Sequence, residues 1–316
     1  MKKRFLSASV LVAVLVGVFA FKLIPTYGNF VFDLLVGVLA IFAGLEMSKL
    51  LFNMNILNSE IAIGLFPSLM FAGHTFFYIF ELKTFWWFVI QAGILIVSFL
   101  LVFLFYSLNF KSFKEKKEKL NLTNVKFGLK TALGSLIAFV YPCLLLAAFM
   151  FANRIDGLNH FAIAQFGGNL SWMILCSAIA LAVISDTAAF FGGKFVGGMK
   201  LGSISPNKTI IGCVSGIVFS SVLMGAVYYI FNAIPSLSAG LSANTIGVWF
   251  FMLYGFIGSF VCQAGDLFES YLKRRAGVKD SGALLPGHGG ILDRIDSHLF
   301  ALPFTLAFFA LMFLIY

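Results

Sequence analysis

Residues 244–274 read NTIGVWFFMLYGFIGSFVCQAGDLFESYLKR. Some twenty residues pass without a charge, and then Asp266, Glu269, Lys273 and Arg274 arrive within nine positions. One helical crossing of a bilayer needs about 20 mostly apolar residues, so this stretch predicts a transmembrane helix that runs on beyond the lipid. Asp266 is its informative residue, because an acid following so long an apolar run is costly to place there and marks a functional site. Asp266, Glu269, Ser270 and Lys273 fall at i, i+3, i+4 and i+7, which is one helical face. A Glu269–Lys273 pair would account for two of the four by structure alone.

The same apolar pattern runs through the chain. Of 316 residues, 60% are hydrophobic and 11% charged, with a mean hydropathy of +0.99. A soluble domain carries roughly 25% charged residues, so the solvent here is lipid. Nine apolar runs, near 5–23, 28–44, 60–81, 85–107, 131–152, 169–191, 209–232, 244–268 and 299–316, predict an all-α polytopic membrane protein. Residues 1–21, MKKRFLSASVLVAVLVGVFAF, open like a leader. No convincing small-x-small cleavage site follows, and a second run starts almost at once, so they read as a retained first span.

Charge gives the orientation. With the N-terminus inside, segments 1–4, 45–59, 108–130, 192–208 and 269–298 face the cytoplasm and hold 19 of the 22 Lys and Arg. That is the retention of basic residues expected of cytoplasmic loops, and only Lys22, Lys83 and Arg154 fall outside. The net charge of +9 is thereby explained by topology, and no nucleic-acid partner is expected. The organisation reads as N-terminal transmembrane helices over 1–107, a basic cytoplasmic linker over 108–130, and a catalytic transmembrane domain over 131–316. Cys143, Cys176, Cys213 and Cys262 sit in apolar runs without a CxxC pair and read as small buried hydrophobes.

Two further polar segments fall on the same side. Residues 275–298, RAGVKDSGALLPGHGGILDRIDSH, offer Lys279, Asp280, His288, Asp293, Arg294 and Asp296. Asp293 and Asp296 share one side of any short helix. Residues 185–212, SDTAAFFGGKFVGGMKLGSISPNKTIIG, offer Asp186 about a turn and a half before the end of the sixth span. A mobile loop with Gly192, Gly193, Gly197 and Gly198 follows, carrying Lys194, Lys200 and Lys208. No GxxxxGK[ST] loop is present. Acids at helix ends suit Mg²⁺, which takes one or two carboxylates plus substrate phosphate oxygens. Lysines, arginines and a Gly-rich turn suit phosphates. The residues alone therefore point to a Mg²⁺–phosphate site at the cytoplasmic face.

Residues 270–296, SYLKRRAGVKDSGALLPGHGGILDRID, resemble the signature of the phosphatidate cytidylyltransferases, with Ser270, Lys273, Arg274, Lys279, Asp280, Pro286, His288, Gly289, Gly290, Asp293, Arg294 and Asp296 in the corresponding places. QAGDLFES and SDTAAFFGGKFVG…SPNKT are similar too, and the resemblance covers roughly residues 130–316. It departs at Ile211, where the family carries Glu, and at Phe190, where it carries Tyr. The resemblance implies that CTP and phosphatidic acid give CDP-diacylglycerol and diphosphate at the bilayer. It further implies Mg²⁺ on Asp266 and Asp293, with room for a second, monovalent cation. Lys208, Lys273, Arg274, Lys279 and Arg294 would hold phosphates, with Ser205 and Ser270 as donors and His288 in the phosphate-binding turn. Asp186, Glu269, Asp280 and Asp296 would support them, and a homodimer is compatible with this reading.

Other functions fit less well. A CDP-alcohol phosphatidyltransferase needs an Asp-Gly opening with Ala-Arg and two further Asp, and Asp156-Gly157 lacks the rest. A transporter predicts charged or broken helices near the midplane, whereas these acids gather at one end. Another CTP-dependent lipid-phosphate transferase or lipid-alcohol kinase should lack the full signature.

Overall fold

A chain in a bilayer has no water to take its backbone hydrogen bonds, so it closes them within helices. The computed structural model is built of helices accordingly. It describes residues 22, 27–80, 82–108, 120, 123–157, 169–202, 205–206, 208–243, 246–284 and 289–315. Among these there is no β-strand, only an isolated bridge between Lys200 and Thr209. The main helices are α1 (Gly28–Asn53), α2 (Glu60–Ile79), α3 (Thr84–Ser107), α4 (Asn124–Ala138), α5 (Leu145–Asn153), α6 (Leu170–Val196), α7 (Ile210–Asn232), α8 (Pro235–Ala243), α9 (Val248–Arg275) and α10 (Leu292–Ile315). A kink within Phe139–Leu144, where Tyr141 is extended at φ −121° and ψ +115°, joins α4 to α5, and the two make up one candidate span, Asn124–Asn153.

Eight helices among the described residues are long and apolar enough to cross a membrane. They answer to the eight predicted runs after the first, and the protein is an all-α polytopic membrane protein. Apart from Lys22 the run near 5–23 lies outside the described residues, as do residues 109–119 and 121–122 of the basic linker.

Several helix ends differ from the sequence reading. Helix α1 continues through residues 45–53, read above as loop, and stops only where Asn55 turns to φ +60°. Helix α6 continues to Val196, where Gly197 takes φ +74°. Gly192 and Gly193 are thus helical rather than part of a mobile loop. Helix α4 begins at Asn124 and α10 at Leu292, not at 131 and 299. The cause is common to all four. Apolar runs end at the first polar residue, whereas helices end where the backbone leaves the helical region or the end groups find caps. The short helix α8 has no counterpart in the sequence reading.

The helices pack as two compact units, one comprising residues 1–150 and 275–293 and the other residues 151–274 and 294–316. In the first, Phe66 and Phe139 stack with centroids 4.3 Å apart, and both are buried, as are Met47, Ile63 and Ala43. Its polar groups tie the helix connections. Ser48 Oγ donates to Asn58 Oδ1 at 2.6 Å, and the Ser59 amide donates to Ser135 Oγ at 2.8 Å. Toward the other ends of α1 and α2, Trp87 Nε1 donates to His74 Nδ1 at 2.9 Å. His74 Nε2 lies 3.4 Å from Asp33 Oδ2, and both of these side chains are fully buried.

In the second unit α9 is the central strut. Ser185 and Ser259 hydroxyls meet at 2.8 Å, Gln263 Nε2 donates to the Cys213 carbonyl at 3.1 Å, and the Tyr254 and Thr305 hydroxyls meet at 2.6 Å. These bonds tie α9 to α6, α7 and α10. Lipid gives helices no hydrophobic drive to associate, so small residues and side-chain hydrogen bonds hold them. Asp156 caps α6, accepting from the Ser171 amide at 2.9 Å and from its hydroxyl. All four cysteines are free thiols.

Candidate active site

The polar residues of the second unit meet at one end of its bundle. This follows from chain direction: α6 and α9 finish there, and α7 and α10 begin there. Asp186 lies ten residues before the end of α6, and Asp266 nine before the end of α9. At 1.5 Å per residue both sit about 14–15 Å inside their helix ends. Asp186 is therefore deeper than the turn and a half read from the sequence.

The described residues of the segment between α6 and α7 bond back across it. The Leu201 amide bonds to the Lys208 carbonyl at 2.9 Å, the Lys208 amide to the Ser205 carbonyl at 3.1 Å, and the Ile210 amide to the Met199 carbonyl at 2.9 Å. Thr209 Oγ1 then caps α7, accepting from the Gly212 amide at 3.0 Å. The return delivers Lys208, whose ammonium pairs with Asp266 Oδ2. The other Asp266 oxygen accepts from Ser270 Oγ at 3.4 Å, and Lys273 pairs with the fully buried Glu269 one turn on. The four-residue face predicted on α9 is present. Ile211 packs against Gly198 instead of presenting a carboxylate.

Asp186 joins this group through Ser297, whose hydroxyl donates to its Oδ1 at 3.3 Å. Asp296 is close enough to Asp266, Asp186 and Lys273 to feel their charges. Asp186, Asp266, Glu269 and Asp296 thus share a neighbourhood with two ammonium groups, those of Lys208 and Lys273. The imbalance favours a cation. Among the described residues no three His, Cys, Asp or Glu side chains close around a metal-sized gap.

Asp293, Lys279 and Asp280 belong to the first unit. Asp293 Oδ2 accepts from the Ser281 amide at 2.9 Å, the Ser281 hydroxyl at 3.0 Å and the Gly290 amide at 2.8 Å. Gly289 has φ +82°, and a Cβ there would stand 2.6 Å from Asp293 Oδ2. The glycine pair is thus a close-fitting cradle for a carboxylate. Lys279, Asp280, Arg274 and Arg294 are exposed. His288 lies outside the described residues.

The sequence reading missed Glu46. Its side chain is buried, at 6% exposure. Oε1 accepts from the Ile291 amide at 3.0 Å, and Oε2 from the Leu292 amide at 2.9 Å and the Ser281 hydroxyl at 3.0 Å. A carboxylate from α1 thus caps the start of α10. The local signal was slight: one acid just past the apolar run 28–44, in a segment read as loop. The cap itself spans more than two hundred residues and leaves no local pattern.

A profile of the cytidylyltransferase family matches residues 2–312. The chain is 40% identical over 144 residues to a phosphatidate cytidylyltransferase of Helicobacter pylori strain J99, covering 46% of this chain and 50% of that protein. It is 36% identical over 156 residues to one of Staphylococcus haemolyticus, covering 49% and 50%. With phosphatidate cytidylyltransferase 5, chloroplastic, of Arabidopsis thaliana it shares 43% identity over 139 residues, covering 42% and 32%. The chain spans about half the length of the curated bacterial relatives it matches. With the family profile running over nearly all of its residues, the chain belongs to the cytidylyltransferase family.

Proposed function

We propose that the protein transfers the cytidylyl group of CTP to phosphatidate, giving CDP-diacylglycerol and pyrophosphate. The observation that carries this reading is the gathering of Asp186, Asp266 and Asp296 with Lys208 and Lys273, deep at one end of an apolar bundle. Such a place accepts a polyanion and a cation together while leaving acyl chains in lipid. Relatives named phosphatidate cytidylyltransferase support the choice of substrates.

A phosphate oxygen of the lipid forms a bond to the α-phosphorus of CTP, and the bond from that phosphorus to the bridging oxygen breaks, releasing pyrophosphate. The attacking phosphate has a second pKa of about 6 and is near dianionic at neutral pH. No strong general base is required. The barrier lies in bringing two polyanions together and in the charge that builds on the leaving group. Lys208 and Lys273 are held in place by carboxylates and meet the phosphates as fixed cations. The resemblance gives Arg274, Lys279 and Arg294, all exposed, phosphate-binding roles as well.

Asp266 is the proposed Mg²⁺ ligand, and the bound ion would supply charge neutralisation at the leaving pyrophosphate. The resemblance gives Asp293 the same role, and its own variant tests it. The site is proposed to face the cytoplasm, where CTP is found, in a bacterial inner membrane.

The test is purified protein with labelled CTP and phosphatidate in mixed micelles. Wild type releases pyrophosphate only when both substrates and Mg²⁺ are present. Asp266→Asn and Asp293→Asn each lower kcat/KM by about 100-fold or more. A wild type that makes no CDP-diacylglycerol sinks the reading, and full activity in either variant removes that residue from the metal.

A further inference from the structure

We infer that Glu46 is a positioning residue for the cytidylyl transfer proposed above, acting through Ser281 on Asp293; the inference rests on that reading. Three observations within the first unit lead to it. The first is what the carboxylate does. The leading N–H groups of a helix have no partner inside the helix and favour an anion. Glu46 takes those of Ile291 and Leu292, and so sets where α10 begins and where Asp293, one residue on, is held.

The second is a shared proton. The Ser281 hydroxyl stands 3.0 Å from Glu46 Oε2 and 3.0 Å from Asp293 Oδ2. A hydroxyl has one proton to donate, so the two carboxylates compete for it. The electron density that Asp293 offers to a cation then depends on Glu46. The turn is shaped around both acids: a Cβ on Gly282 or Gly290 would run into the Glu46 carboxylate.

The third is rigidity. Two residues beyond Glu46, Ser48 is bonded to Asn58, and the next amide, that of Ser59, is bonded to Ser135 on α4. The carboxylate is thereby referenced to three helices. The N-terminal helices, which carry no signature residues, hold the signature segment in register.

The experiment compares full-length wild type, Glu46→Gln and Ser281→Ala in detergent. It reads amide hydrogen exchange over residues 281–292 and the Mg²⁺ dependence of pyrophosphate release. Glu46→Gln keeps its helix content. Exchange at Ile291 and Leu292 rises about tenfold. The half-saturating Mg²⁺ concentration rises roughly 10- to 100-fold, with KM for phosphatidate unchanged. Unchanged exchange, or a fall in kcat with wild-type Mg²⁺ dependence, overturns the inference. Should Glu46→Gln fail to fold, Ser281→Ala decides: a raised Mg²⁺ requirement supports the role and a wild-type requirement overturns it. An inactive wild type would instead sink the reaction assigned above, and the exchange data would still show whether Glu46 holds the segment.

Discussion

Glu269 and Lys273 show how a single residue's cost depends on its neighbour. Glu269 is fully buried and Lys273 is 13% exposed, one turn apart on α9. Removing one member of a buried pair strands the other charge, which costs about 3–5 kcal/mol. Lys273→Met should therefore lower the melting temperature in detergent substantially. Glu269→Gln/Lys273→Met, which removes both charges, should recover most of the loss. Equal melting of the single and double variants would show that the two do not couple. Glycines at this scale divide just as sharply. A Cβ on Gly255 runs into the Ser220 carbonyl, whereas one on Gly93 in α3 meets nothing within 4 Å. Gly255→Ala should destabilise by about 1–3 kcal/mol through overpacking. Gly93→Ala should gain up to about 1 kcal/mol from helix propensity.

At the scale of the helix, the interior of each element was legible and its ends were not. Hydropathy found the eight spans of the described residues because twenty apolar residues in a row have few other uses. It failed at residues 292–298, since Asp293, Arg294 and Asp296 look like loop when read locally. Their helix opens at amides capped by Glu46, supplied from 245 residues away. Asp33 and His74 are a different failure. Both lie within predicted spans, and an ionisable residue there is a signal in its own right. Their neighbours' hydrophobicity hid them. The α9 face of Asp266, Glu269, Ser270 and Lys273 was readable because helical spacing alone determines it. The partners of that face, Lys208 and Asp296, were each named from the sequence, but their convergence depends on the folded connector 197–209. Lengthening that connector by two glycines after Gly202 should detach Lys208 from Asp266. The expected result is a KM for CTP raised about tenfold, with helix content unchanged; an unchanged KM would show that Lys208 acts independently of the fold-back.

For the whole molecule, the distribution of basic residues predicts sidedness. In a background lacking the four native cysteines, Leu120→Cys should react with an impermeant thiol reagent only when the cytoplasmic side is open. Lys83→Cys should react only from the opposite side. Labelling of both from one side would refute the orientation. The chain's two compact units each draw on separated stretches of sequence, and the first takes in residues 275–293. That arrangement was not legible, because nothing in composition separates a segment that closes a unit from one that links two.

The Glu46 cap has a consequence in time. Its partner Ser281 follows 235 residues later. At roughly 5–20 residues per second of synthesis, the carboxylate waits on the order of tens of seconds, already threaded into the bilayer, before its donors exist. During that interval α1 carries an unanswered charge. The nascent chain must keep Glu46 near the interface, or shield it, until residues 281–292 emerge. A ribosome-stalled chain ending before residue 281 should therefore leave position 46 open to aqueous reagents that the finished protein excludes.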